Sequence, residues 1–347
     1  MIQRLLRGRA LYISLALLVV GLYARHVPPS PFESRRVEIS QGDETQEWWP
    51  AQLNQETLEH VARQQPHLAL ALTIVTGFML VMSVGGIGLA GWGLWSGRIR
   101  SAWRFPTLPL PRWTFGELGR IVALTLAMAA LLPFAHLAML SMQPSGEPDH
   151  HLWITVSMCA LDVFIALAIL AFAGGKGRSA WRSLGFSRKR VLRSIGVGFR
   201  AYVAVFPWIF LLLFLIVEAA RQFGLKPPIE PIQELVFQED RPAVLALTVL
   251  LACLIGPVTE ELLFRGVVYP VIRHRTSRLI AMLVSGGLFA LVHTNLLGFL
   301  PIMLLGCVLA YLYERTGSLA SPLAVHILHN TFLMSLALVF RRLLELG

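Results

Sequence analysis

Two adjacent carboxylates, several imidazoles and an amide lie within apolar sequence in the last third of this 347-residue chain. Glu260 and Glu261 stand in Gly256-Pro-Val-Thr-Glu260-Glu261-Leu-Leu-Phe-Arg265, His293 ends Phe289-Ala-Leu-Val-His293, and His326-Ile-Leu-His329-Asn330 supplies the rest. Charged and imidazole groups at membrane depth are costly, so where they recur together they mark a site. A carboxylate beside an imidazole takes a proton from water, the activated water attacks a carbonyl, and an imidazole and an amide donate hydrogen bonds to the oxyanion. That is peptide hydrolysis. A second chemistry stays open: Glu260, His293 and His326 could instead bind a zinc ion that acidifies the water. No HExxH sequence favours zinc.

Spacing tests whether these groups can meet. At about 1.5 Å rise per residue, Glu260 lies ~20 Å along its helix from Arg273, and His293 lies ~22 Å from Arg278. His326 and Asn330 lie ~16 and ~22 Å beyond Arg315, so all four come out at similar depth. His326 and Asn330 are four residues apart and share one helical face, whereas His329 is turned about 60° from His326 and about 100° from Asn330, so either histidine could border the site. Glu261 and Arg265 are also four apart, acid before base. Arg265 is thus able to hold Glu261 and leave Glu260 free, although the two could equally be a structural pair.

The elements that position these residues are membrane spans. Apolar residues make up 55% of the chain and charged residues 14%, against about 25% charged in soluble domains, and the mean hydropathy is +0.63. Disordered, fibrous and disulfide-rich secreted classes are excluded on the same figures. Nine apolar runs, at about Ala10–Ala24, Leu68–Trp95, Ile121–Leu140, Trp153–Ala173, Gly196–Val217, Ala243–Val258, Leu279–Val292, Leu300–Tyr313 and Leu319–Phe340, predict an all-α transmembrane bundle with about eight or nine spans. The first run follows Arg4, Arg7 and Arg9 and closes at Arg25 without a small-residue cleavage site, the pattern of an uncleaved signal-anchor.

The net charge of +10 reflects topology, not nucleic acid binding. Arg98, Arg100, Arg104 and Arg112, then Lys176, Arg178, Arg182, Arg188, Lys189, Arg190 and Arg193, then Arg273, Arg275 and Arg278 occupy one set of loops. The alternate set, Glu33–Glu59, Pro144–His151 and Glu230–Asp240, is acidic or mixed. The positive-inside rule makes the basic set and the N-terminus cytoplasmic, in a cell (inner) membrane protein, with Pro28–Pro66 an outside loop. Cys159, Cys253 and Cys307 are small core residues by their apolar setting. Gly86-Ile-Gly88-Leu-Ala-Gly91 spells GxGxxG but lacks the strand and acidic residue of a dinucleotide site. Small residues so spaced instead let transmembrane helices approach.

Taken in order, Glu260-Glu261-x-x-x-Arg265, Phe289-x-x-x-His293 and His326-x-x-x-Asn330 resemble the three motifs of the CPBP/Abi intramembrane proteases, the group containing the type II CAAX prenyl endopeptidases. Tyr311-Leu-Tyr-Glu314-Arg315-Thr-Gly317-Ser-Leu is similar to that family too, and the resemblance covers about Ala243–Phe340. It implies that Glu260 activates water with help from His293, that His326 and Asn330 stabilise the oxyanion, and that Glu261 and Arg265 support them. Members are described both as zinc enzymes and as metal-free glutamate enzymes; the metal-free mechanism is favoured, with no cofactor required. Substrates implied are membrane proteins or peptides in the lipid bilayer, lipidated or with a C-terminal sorting tail. The expected organisation is a signal-anchor and outside loop over 1–66, transmembrane helices of unassigned role over 67–242, and the protease core over 243–347.

Three weaker readings stand beside this one. Ser285-Gly286 with a later histidine resembles a rhomboid serine protease, but Leu283 occupies the place of the glycine two residues before the serine. A non-enzymatic transporter or immunity protein could use the polar cluster for binding, yet a transporter should show paired halves with broken helices, and here the polar groups crowd into one half. Outside the cluster, His136 and Asp162 could pair across neighbouring helices, and Glu218 suits an interface position.

Overall fold

The computed structural model describes residues 2–25, 63–97, 105, 113–141, 149–174, 184, 191–223, 231–293, 295 and 297–344. All regular elements among them are helices: α1 Ile2–Arg7, α2 Arg9–Arg25, α3 Pro66–Trp95, α4 Phe115–Ser141, α5 His150–Gly174, α6 Val191–Gln222, α7 Pro231–Gln238, α8 Pro242–Arg273, α9 Arg278–Leu291, α10 Phe299–Thr316 and α11 Ala320–Leu344. Residues 28–62 of the expected outside loop lie outside the described residues, as do Arg98, Arg100, Arg104, Arg112, Lys176, Arg178, Arg182, Arg188, Lys189 and Arg190.

Seven described helices are long and apolar enough to cross a bilayer: α3, α4, α5, α6, α8, α10 and α11. The shorter apolar helices α2, of 17 residues, and α9, of 14, account for the other runs read from the sequence. This is an integral membrane protein. Local chemistry sets several boundaries. Thr114 and Glu117 form a reciprocal capping box at the start of α4, Glu117 accepting from the Thr114 N–H at 2.9 Å and Thr114 Oγ1 accepting from the Glu117 N–H at 3.2 Å. Gly317, at φ +64°, ends α10 in the left-handed conformation that glycine adopts without penalty.

The sixth apolar run does not stop where its charges begin. Expected over Ala243–Val258, the helix continues through Glu260, Glu261 and Arg265 to Arg273. Those side chains are therefore inside a span, where each needs a partner.

Two apolar cores hold the bundle. One joins α4, α5, α8, α9 and α10 through residues such as Ile121, Ile169, Leu262, Ala281 and Tyr313. The other joins α3, α6, α10 and α11 through Met82, Tyr202, Phe206, Leu309 and Phe332. Helix α11 also packs along α8, which brings the third motif to the first. In the glycine series, Gly86 does what close packing requires: a Cβ there would lie 2.3 Å from Val203 O of α6 and 2.6 Å from Pro207 Cδ. Gly88 and Gly91 meet nothing within 4 Å, so the close-approach reading applies to Gly86 alone.

Candidate active site

Helix α8 is widened twice, at π turns Leu251–Ile255 and Phe264–Val268, with Glu260 and Glu261 on the regular turns between them. Each π turn ends two residues before a proline, Pro257 and Pro270. A proline inside a helix lacks an N–H and crowds the carbonyl four residues back, and a widened turn relieves that crowding. At the first, the Gly256 N–H donates to Leu251 O instead of Ala252 O, and Pro257 has no N–H to offer. The freed Ala252 carbonyl accepts from Asn330 Nδ2 at 2.9 Å. A broken helical ladder thus fixes the amide of the third motif, and leaves the second N–H of the amide available.

Glu261 and Arg265 form a fully enclosed pair, 1% and 0% exposed, with Arg265 Nη1 donating to Glu261 Oε1 at 2.9 Å. Arg265 Nη2 donates to Gly306 O at 3.0 Å. That carbonyl is reachable because α9 and α10 nearly touch: a Cβ on Gly306 would lie 2.9 Å from Gly286 Cα. The guanidinium carbon lies 4.6 Å from the centre of the Phe289 ring. Phe289 in turn meets His293 at 4.8 Å and His326 at 5.6 Å between ring centres, so one aromatic ring spaces the arginine from both imidazoles. Its spacing of four from His293 was the available signal for this role.

His326 sits between the two carboxylates. Its Nδ1 is 2.9 Å from Glu261 Oε1 and its Nε2 is 3.5 Å from Glu260 Oε2. An ionised carboxylate only accepts, so Nδ1 carries a proton toward Glu261, and Nε2 of the neutral ring is able to accept a proton once Glu260 holds one. Glu260 differs from its neighbour in exposure, its side chain being 29% exposed against 1% for Glu261, while the buried Oε2 of each has no hydrogen-bond donor among the described residues. The structure therefore brings together Glu260, Glu261, Arg265 and His326, with Asn330 on the same side of α11. His293 stands just beyond α9, half-buried, its Nδ1 2.8 Å from Phe289 O, which leaves Nε2 free. No hydrogen bond or ion pair joins His293 to Glu260 among the described residues.

The other candidates separate from this group. His329 turns to α6, where its Nδ1 meets Tyr202 Oη at 2.8 Å. Ser285 is fully buried and its hydroxyl has no hydrogen-bond partner, which removes the geometry a serine nucleophile requires. His136 stacks on Trp153 at 4.7 Å and does not pair with Asp162. The reason is axial: Asp162 lies nine residues, or about 13 Å, further along α5 than Trp153. Asp162 faces α8 instead, where Thr259 Oγ1 donates to its backbone carbonyl at 3.1 Å. Among the described residues no three His, Cys, Asp or Glu side chains converge as a metal-holding group. As arranged among the described residues, Glu260, His293 and His326 do not form a three-ligand site.

At the end of the bundle where α5 and α8 begin, a second polar network lies outside the spans. Arg241 binds Asp149 and donates to Glu239, Nη2 to Oε2 at 2.7 Å, while His151 Nδ1 meets the same Glu239 oxygen at 3.0 Å. The hydrogen bonds from Arg241 hold the Glu239 carboxyl down at about 2 and lower that of Asp149 as well.

An all-helical membrane protein with a carboxylate–imidazole cluster inside a span is the class this arrangement defines. Residues 242–332, which hold all three motifs, match the family described as type II CAAX prenyl endopeptidase Rce1-like. The chain is similar to "Putative membrane peptidase YdiL" of Bacillus subtilis (strain 168), 30% identical over 92 residues, which are 26% of this chain and 38% of that protein. It is also similar to "UPF0177 protein YxdF" of Lactococcus lactis subsp. lactis (strain IL1403), 35% identical over 80 residues, 23% of this chain and 44% of that protein. The chain thus spans less than half the length of the curated relatives it matches. No solved structure matches it. The family resemblance carried by the three motifs holds for the segment that contains them.

Proposed function

We propose that this protein is an intramembrane endopeptidase that cleaves a peptide bond of a membrane protein or peptide with a water activated by Glu260. The observation that carries the reading is His326 seated between Glu260 and Glu261, with only Glu260 partly open. Glu260 takes a proton from water as the water oxygen bonds to the scissile carbonyl carbon. The proton passes to His326 Nε2, and the imidazolium so formed is stabilised by Glu261, itself held by Arg265. The free N–H of Asn330 and the charged His326 ring donate to the oxyanion. When the C–N bond breaks, the leaving amine takes the proton. His293, with Nδ1 committed to Phe289 O, offers Nε2 to the water or to the leaving group.

The reaction needs no metal. Substrates are membrane-embedded or lipidated chains, or chains with a C-terminal sorting tail, and the protein lies in the cell membrane with its N-terminus and its Arg273–Arg278 turn in the cytoplasm. Labelling of new protein termini in membranes carrying wild type, Glu260→Ala or His293→Ala checks the activity. Products that vanish in both variants support it. Folded variants that change no product would sink it in favour of a binding or immunity protein. Activity surviving complete metal removal supports the glutamate route, and loss restored by zinc overturns it.

A further inference from the structure

Helix α5 brings a third carboxylate to the site. Asp162 Oδ2 and Glu260 Oε1 each lie 3.7 Å from the point a Cβ of Gly256 would occupy, so the two oxygens are no more than twice that distance apart, with only a glycine hydrogen beneath them. Gly256 is one turn before Glu260 on the same face of α8. The approach is built in. Thr259, next to Glu260, ties α8 to the Asp162 carbonyl at 3.1 Å, and any larger residue at 256 would also press on Leu251 O, 3.2 Å from its Cβ. Among the described residues the Asp162 carboxylate makes no hydrogen bond or ion pair of its own. A carboxylate inside a span without such a partner calls for a functional explanation. The oxygens of Glu260 also divide their surroundings: Oε2 faces His326 and Oε1 faces the Asp162 side.

We propose that Asp162 is a further member of the active site, holding the attacking water together with Glu260 in the hollow over Gly256. The water donates one O–H to Glu260 Oε1 and the other to Asp162 Oδ2, which leaves its lone pairs directed at the substrate carbonyl. Asp162 takes no proton in the step; the O–H that breaks is the one toward Glu260 Oε1, a half-turn of the protonated carboxyl group carries that proton to His326 Nε2, and the O–H toward Asp162 stays with the new carboxylic acid until it ionises. This rests on the protease reading above.

The test measures kcat and KM of the full chain in detergent on a quenched fluorescent peptide spanning the Glu260-dependent cleavage site. Asp162→Ala is expected to lower kcat about 100-fold and Asp162→Asn, which keeps one acceptor, about 10-fold, with KM within about twofold. Formate, a free carboxylate of the right size, should restore part of the Asp162→Ala rate where chloride does not; a packing role alone gives no such rescue. Asp162→Asn keeps the shape and serves if Asp162→Ala fails to fold. Full activity in Asp162→Asn, or a change confined to KM, overturns the proposal while Glu260→Ala remains inactive and the protease reading stands. If no Glu260-dependent product exists, both fall.

Discussion

Glu314 and Glu261 are both buried and both held by arginines, and they are held differently. Glu314 of α10 has both oxygens engaged: Oε1 accepts from Arg273 Nε at 3.2 Å and Arg278 Nε at 2.8 Å, and Oε2 accepts from Tyr269 Oη at 2.8 Å. It ties the end of α8 and the start of α9 to α10, beside the turn where the chain leaves the span. In the Glu260–Glu261 group, by contrast, Glu260 Oε2, Glu261 Oε2 and Arg265 Nε are buried without hydrogen-bond partners among the described residues. A saturated carboxylate is a clamp with nothing left to offer a substrate. An unsaturated one inside a span keeps capacity for a reactant, at a cost in stability that only a function explains.

The sharpest division between the two regions is activity against folding. Glu260→Gln should reduce cleavage by about a thousandfold, the range of a lost general base, while leaving thermal unfolding in detergent nearly unchanged; an active Glu260→Gln protein would break the contrast. Arg265→Leu strands Glu261 as a buried charge and should destabilise the fold by about 3–5 kcal/mol, measured by denaturant unfolding. The double replacement Glu261→Gln with Arg265→Leu should recover part of that loss. Glu314→Gln should lower stability by about 1.5–3 kcal/mol yet keep the rate per folded molecule. Loss of rate without loss of folding would place Glu314 in the site.

A smaller effect belongs to the network outside the spans. The folded Glu239 carboxyl, at about 2, is below its ordinary value of 4.5, and Asp149 is lowered in the same direction. Their contribution to stability is therefore complete above the ordinary carboxylate range and is lost as pH falls toward 2. Unfolding scans across that window should show the loss in wild type and a flatter profile in Arg241→Ala. Smallest of all, Ser285→Ala should leave cleavage unchanged, since no imidazole partners Ser285; an inactive, folded variant would revive the serine reading.

Much of the fold was legible in the chain because bilayer thickness imposes a length on every span and scarcity makes each internal charge conspicuous. The end of the sixth span was misplaced for the same reason: a charge-free criterion stops at Val258, whereas Glu261 and Arg265 neutralise one another four residues apart and let the helix run on to Arg273. Pro257 and Pro270 stood in plain view, yet their consequence, a π turn before each and a carbonyl freed for Asn330, depends on a donor 78 residues away. Asp162 was visible as an odd charge in α5, but its neighbour was misjudged because spacing along one helix does not reveal which other helix lies alongside.

By itself the sequence determined that the protein is helical and embedded in a membrane, and that Glu261 faces Arg265. Those properties follow from composition, from length and from the 3.6-residue period, all of which are local. Only the tertiary structure decided that His326, not His329, stands between the carboxylates, that Phe289 separates Arg265 from the imidazoles, and that Asp162 meets Glu260 across Gly256. Periodicity gives each side chain a face on its own helix. Which face meets which is chosen by how the helices pack, and at Gly286 and Gly306 that choice turned on where two backbones could come close enough to touch.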